Sequence, residues 1–157
     1  MTDRTKDCWN TEGARNLEGF FKGLADTSRL RILNLLFYGE LCGCDIQHVL
    51  GASQSNVSRH LTYLKRSGLV LDRRSGYRVY YRLIANSSSD QKLLFEYLQR
   101  SFKRHGLFAD DLKTLRDTIK EGDCSLSDRQ AGLVGYARHL RPDHIHRRWG
   151  RRGQPSV

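Results

Sequence analysis

No stretch of this chain approaches the roughly 20 consecutive apolar residues that cross a bilayer. The opening MTDRTKDCWN is polar and lacks the apolar stretch of a secretion signal. Cysteine is scarce: the 157 residues hold four, at positions 8, 42, 44 and 124. That is not the dense disulfide framework of a small secreted domain. No Cys-x-x-Cys, no phosphate-cradling glycine loop and no Cys–His–Asp arrangement in a recognisable setting occurs, which argues against a thiol oxidoreductase or another enzyme. There is no internal repeat. These absences leave a soluble, cytoplasmic, non-enzymatic protein, long enough for one domain with a real core plus extensions. In a reducing compartment its cysteines stay as thiols, available to a soft ligand.

What the chain has in excess is positive charge. The formal net charge is +10, and it is unevenly placed. Residues 53–82 carry seven Lys or Arg against the single acid Asp72, and residues 122–157 carry seven Arg against three Asp. The other 91 residues balance. A basic block inside a patterned region fits a polyanionic partner, nucleic acid first. The plain alternative is a solvated surface.

Apolar spacing divides the chain. Residues 1–13 read as an N-terminal arm, residues 14–121 as one domain, and residues 122–157 as a basic, disordered tail. Leu17, Phe20, Phe21 and Leu24 follow the i, i+3, i+4, i+7 pattern of an amphipathic helix. A second helix, capped by Asp26 or Thr27, runs through Leu30, Leu33, Leu36 and Phe37 and stops near Gly39. A short third helix fits Ile46 to Leu50, with Asp45 as its cap and Gly51 ending it. A fourth, capped by Ser53, fits 54–67 with Val57, Leu61 and Leu64 inward and Gly68 closing it. LVLDRR and YRVYYRL then read as a hairpin around Ser75-Gly76. Two further helices follow, on Leu93, Leu94, Tyr97, Leu98 and Phe102, and on Phe108, Leu112, Leu115 and Ile119. The expected fold is mainly α with a β-hairpin: a winged helix-turn-helix.

In such a fold the fourth helix presents polar side chains to base edges. Gln54 suits adenine, Arg59 suits guanine or phosphate, and Ser55 and Ser58 are short enough for close approach. Lys65, Arg66 and the wing residues Arg73, Arg74 and Arg78 are candidate phosphate contacts. Tyr77, Tyr80 and Tyr81 read as strand packing, with at least one facing inward by alternation.

LADTSRLRIL (24–33), ELCGCDI (40–46), SQSNVSRHLTYLKRSGLV (53–70) and DRRSGYRVYYRL (72–83) resemble the arsenical-resistance repressor family, also called ArsR/SmtB. The resemblance extends in layout over roughly 15–121. It implies a homodimer joined through its first and last core helices, bound to double-stranded operator DNA and released by a metal or metalloid ion. It also implies that Cys42 and Cys44 are thiolate ligands at the start of the helix before the recognition helix. In arsenite-sensing members a third cysteine often follows three residues after the second; Gln47 stands there instead. Cys8, from the arm, or Cys124, beyond the last helix, is then the candidate third ligand. The implied inducer is As(III) or Sb(III), with cadmium, lead or zinc as the alternative. A redox- or persulfide-responsive repressor of the same fold is the other alternative.

Residues two apart in a regular helix point about 200° from one another. Cys42 and Cys44 therefore share a ligand only where the backbone is extended or the helix start is frayed, and Gly43 between them permits such a conformation. The helix N-terminus favours thiolate there. The plain alternative is a pair of small buried side chains. His48 and His60 read as structural. Asp143, His144 and His146 in the tail have spacing able to hold zinc or copper.

Overall fold

The computed structural model describes residues 11–84 and 89–121. Its elements in chain order are α1 (Thr11–Leu24), α2 (Thr27–Tyr38), β1 (Leu41–Cys42), α3 (Gly43–Leu50), α4 (Gln54–Arg66), β2 (Val70–Ser75), β3 (Arg78–Leu83), α5 (Ser89–Phe102) and α6 (Gly106–Glu121). This is the expected winged helix-turn-helix. No helix among the described residues is long and apolar enough to cross a membrane. Helix α1 starts at Thr11, inside the stretch read as an arm. Cys8, Cys124 and the Asp143, His144 and His146 group lie outside the described residues, as does almost all of the proposed arm and tail.

Helix α2 is the centre of the molecule. The Asp26 carboxylate accepts from the Arg29 N–H at 2.9 Å and so caps its start. Ile32, Leu33, Leu35 and Leu36 are fully buried, because α2 packs against α1, α3, α4, α5, α6 and β3. A helix surrounded in this way is apolar on more than one side. Its polar residues are satisfied: the Asn34 amide donates to the Phe108 carbonyl at 2.9 Å, and Arg31 grips Asp111 of α6 through Nε at 2.8 Å and a second nitrogen at 2.6 Å. Helix α1 crosses so close to the end of α4 that a Cβ added at Gly23 would lie 2.9 Å from both Leu69 Cδ1 and Ser67 Cβ. Gly23→Ala is expected to destabilise by about 1–3 kcal/mol through overpacking, read as a lower denaturant midpoint.

Two local details depart from the sequence expectation. Helix α3 begins at Gly43, and its N-cap is Cys42 rather than Asp45. Asp45 instead sits in the first turn and reaches back, its Oδ2 accepting from the Cys42 N–H at 3.0 Å. The acid at the third helical position is thus one half of a capping box, which moves the start of the helix three residues upstream. The hairpin loop is Gly76-Tyr77, closed by the Ser75–Arg78 pair, rather than Ser75-Gly76. Gly76 has φ +60 while no non-glycine residue among those described has positive φ, as in a type II′ turn.

A third strand was not foreseen. Leu41 and Cys42 pair antiparallel with Tyr81 and Tyr80, so the sheet order is β1-β3-β2 and the wing strand β3 is central. Two residues are too short to show an alternation in the sequence.

Candidate nucleic-acid interface and thiol site

Helices α3 and α4 are joined by a tight turn. Gly51 adopts the left-handed conformation (φ 62, ψ 31), and its N–H closes onto the Gln47 and His48 carbonyls. Ser53 then caps α4, its Oγ accepting from the Asn56 N–H at 3.4 Å. Val57, Leu61 and Leu64 are buried, which turns Gln54, Ser55, Ser58 and Arg59 outward, all of them exposed. Helix α4 therefore carries an apolar inner stripe and a polar outer face, as the spacing predicts.

The basic residues behave less uniformly. Arg66 and Arg74 are exposed. Lys65 is engaged by Asp72, Nζ to Oδ2 at 2.7 Å. Arg73 is held by Glu40 through two hydrogen bonds of 2.7 Å and lies over the Tyr80 ring, 4.8 Å from its centroid. A hydrogen bond to Tyr80, then the charges nearby, push the already high pKa of Arg78 further up. Of the three tyrosines, Tyr81 is on the face of β3 that packs against the core, with Leu83, Tyr80 is buried on the opposite face beneath Arg73, and Tyr77 stands at the wing tip, 91% exposed.

Cys42 and Cys44 converge. Cys42 is extended (φ −68, ψ 149) and buried, whereas Cys44 lies in the first turn and is exposed. The pair therefore straddles the junction between strand and helix, and the opposed directions of a regular helix do not apply. The two sulfurs are joined as a disulfide, with Cα atoms 5.2 Å apart, where two separate thiols were expected. Gly43 is not what permits this: its φ is not positive, and a Cβ there would meet Tyr81 at an ordinary 3.5 Å. The extended backbone of Cys42 is sufficient.

Sequence reasoning missed Asp45 as part of this cluster. Its carboxylate, 3% exposed, places an oxygen within 4.8 Å of both sulfurs, and its Oδ1 lies 4.0 Å from Cys44 Sγ. The signal that could have found it is the capping-box spacing itself. Thiols with a carboxylate alongside are a donor set suited to a soft or borderline ion. Cys42, Cys44 and Gln47 also form one wall of a cleft of about 470 Å³, whose other walls include Gln54 and Ser58 of α4 and Tyr77, Arg78 and Tyr81 of the hairpin.

Residues 26–71, from the cap of α2 into β2, match the family model described as bacterial regulatory protein, arsR family. A solution structure of the homodimeric winged helix-turn-helix domain of a possible ArsR-family transcriptional regulator from Mycobacterium bovis is 32% identical, with a TM-score of 0.50, over 67% of this chain and 90% of that one. The chain belongs to the ArsR family. Among curated ArsR relatives, the arsenical resistance operon repressor of Escherichia coli K12 is 55% identical over 64 residues, 40% of this chain and 55% of that protein. The cadmium resistance regulatory protein CadC of Listeria innocua is 43% identical over 67 residues, 42% of this chain and 56% of that protein. The match thus spans little more than half the length of these two relatives. Helix α6 lies beyond the region matched by the ArsR family model, yet it packs on α2 and α3.

Proposed function

We propose that this ArsR-family protein is a homodimeric transcriptional repressor that binds operator DNA through α4 and the wing, and leaves it when Cys42 and Cys44 take up arsenite or antimonite. The observation that carries this reading is the shared cleft: the thiol pair and the base-reading side chains Gln54 and Ser58 line the same cavity. A change at the sulfurs is therefore adjacent to the reading surface. A penalty of 1.4 kcal/mol on the DNA-bound form is about tenfold in affinity, and allosteric couplings of about 1–3 kcal/mol are typical. By linkage, DNA weakens inducer binding by the same factor.

Cys8 or Cys124 supplies the third sulfur for a trivalent inducer. The nearby Asp45 carboxylate favours the alternative of cadmium, lead or zinc, because oxygen donors suit borderline divalent ions better. The close approach of the two sulfurs is also compatible with the second alternative, a redox-responsive repressor, in which two-electron oxidation of the dithiol by a cellular disulfide or peroxide replaces ion uptake. Leu17 and Phe21 on α1, and Leu93 and Tyr97 on α5, are 57–67% exposed. Apolar residues at helical spacing on the first and fifth helices supply a dimer surface.

The test is a titration of the reduced protein on a duplex that it selects itself from a random library. Arsenite, antimonite, cadmium and lead are each added in excess. Release by one of them supports the reading and names the ion; binding unchanged by all, with release on oxidation alone, leaves the redox alternative. On the same duplex, Arg59→Ala is expected to lower affinity by about 1–3 kcal/mol and relax sequence preference. Arg74→Ala should weaken all sequences alike and reduce the salt slope by about 0.9.

A further inference from the structure

Segment 40–42 is fastened to the wing at two points, which a third contact inside the wing links together. Cys42 pairs with Tyr80 of β3. Arg73 of β2 is opposite Tyr80 from the other side and stacks on its ring at 4.8 Å. The Glu40 carboxylate, two residues before Cys42, closes the circuit by gripping Arg73 with two hydrogen bonds of 2.7 Å across 33 residues of sequence. The Glu40 side chain is only 14% exposed although that of Arg73 is 42% exposed. An ion pair this accessible stabilises a fold by only about 0–1 kcal/mol. A two-point fork does, however, fix orientation in a way that one contact does not. The residue that caps α3 and carries one thiol is therefore also part of the wing sheet.

We propose that Glu40 and Arg73 form a strut that transmits the state of the Cys42–Cys44 pair to the wing, so that the wing is repositioned along with the recognition helix. Arg73 is then a positioning residue held by Glu40, not a phosphate contact. This rests on the reading of Cys42 and Cys44 as the sensing thiols. A change at the thiols alters the backbone of Cys42, the Cys42–Tyr80 pairing carries it into β3, and the Glu40–Arg73 fork keeps β2 moving with it. Without the fork, only the two-residue β1–β3 pairing links segment 40–42 to the wing, and β2 follows less closely.

Hydrogen–deuterium exchange of residues 70–83 in the DNA-free full chain tests this. The protein is compared reduced, reduced with sodium arsenite, reduced with cadmium chloride, and oxidised to the Cys42–Cys44 disulfide. In the wild type, at least one change of thiol state should alter wing exchange by about threefold or more, a local-opening effect. Glu40→Gln and Arg73→Gln should each reduce that response to near onefold. The charge-swapped double variant Glu40→Arg, Arg73→Glu should restore it, a recovery that mere loss of an ion pair does not produce. Identical wing exchange in every state of the wild type overturns the strut, as does a full response in both single variants or no recovery in the swap. Parallel DNA titrations separate the two ideas. Release without a wing response sinks the strut alone, and a wing response without release sinks the repressor reading alone.

Discussion

Serine at both 42 and 44 should leave inducer-free operator affinity within about twofold and abolish its loss on adding arsenite, antimonite or cadmium. The lost effect corresponds to a coupling of about 1–3 kcal/mol, or about 5- to 150-fold in affinity. The Ser oxygens retain the small size of the side chains and, at 42, a capping acceptor for α3, so the helix start is kept. The hard hydroxyl does not replace a thiolate toward a soft ion. Fluorescence anisotropy on the self-selected duplex, with and without inducer, measures this. Inducer release that persists at wild-type size in the double variant excludes these thiols as the sensor. Single variants refine the result: Cys42 is buried and Cys44 exposed, so Cys44→Ser isolates the more accessible sulfur with the least disturbance to packing.

The largest expected loss of stability lies away from the interface, at Asp111→Ala. Asp111 is 4% exposed and accepts both hydrogen bonds of the Arg31 fork, at 2.8 and 2.6 Å. That hydrogen bond pushes the pKa of Arg31 up, and a guanidinium is protonated even without a partner, so Arg31 stays charged when Asp111 is removed. Deleting the carboxylate leaves a positive charge largely covered by protein, and breaking such a pair typically costs about 3–5 kcal/mol. The Arg31 side chain is 22% exposed, so water takes over part of the loss and the lower end, about 3 kcal/mol, is expected. A lower urea midpoint with unchanged m-value checks it. Arg31→Met with Asp111→Leu should recover most of the loss, because an apolar pair removes the stranded charge. A midpoint unmoved by Asp111→Ala would mean that Phe108, Leu115 and Asn34 alone hold α6 to α2.

The fold was largely legible because its periodicities are strong. The inner stripe of α4, the caps at Asp26 and Ser53, the left-handed turn at Gly51 and the hairpin after Gly68 all follow from residue type and spacing. The candidate cysteine cluster was legible in part. Cys42 and Cys44 were picked out by spacing and by resemblance, and their convergence required a non-helical backbone at one of them. What went unread was the cap. Asp45 looked like an N-cap because Asp is a favoured one, but an acid at the third helical position can serve the same end from inside the helix. Only the path of the backbone distinguishes the two.

By itself, the sequence determined the helix-turn-helix with its wing, the outward face of Gln54, Ser55, Ser58 and Arg59, and the presence of a thiol pair before the recognition helix. Those properties depend on local pattern, on which residues recur every three or four positions and which turns admit glycine. The tertiary structure alone decided which charges are engaged. Arg73 meets Glu40 and Arg31 meets Asp111 across 33 and 80 residues, and Cys42 enters the wing sheet through a strand of two residues. Contacts that distant leave no periodic trace, because they depend on how the elements are packed rather than on what precedes or follows them in the chain.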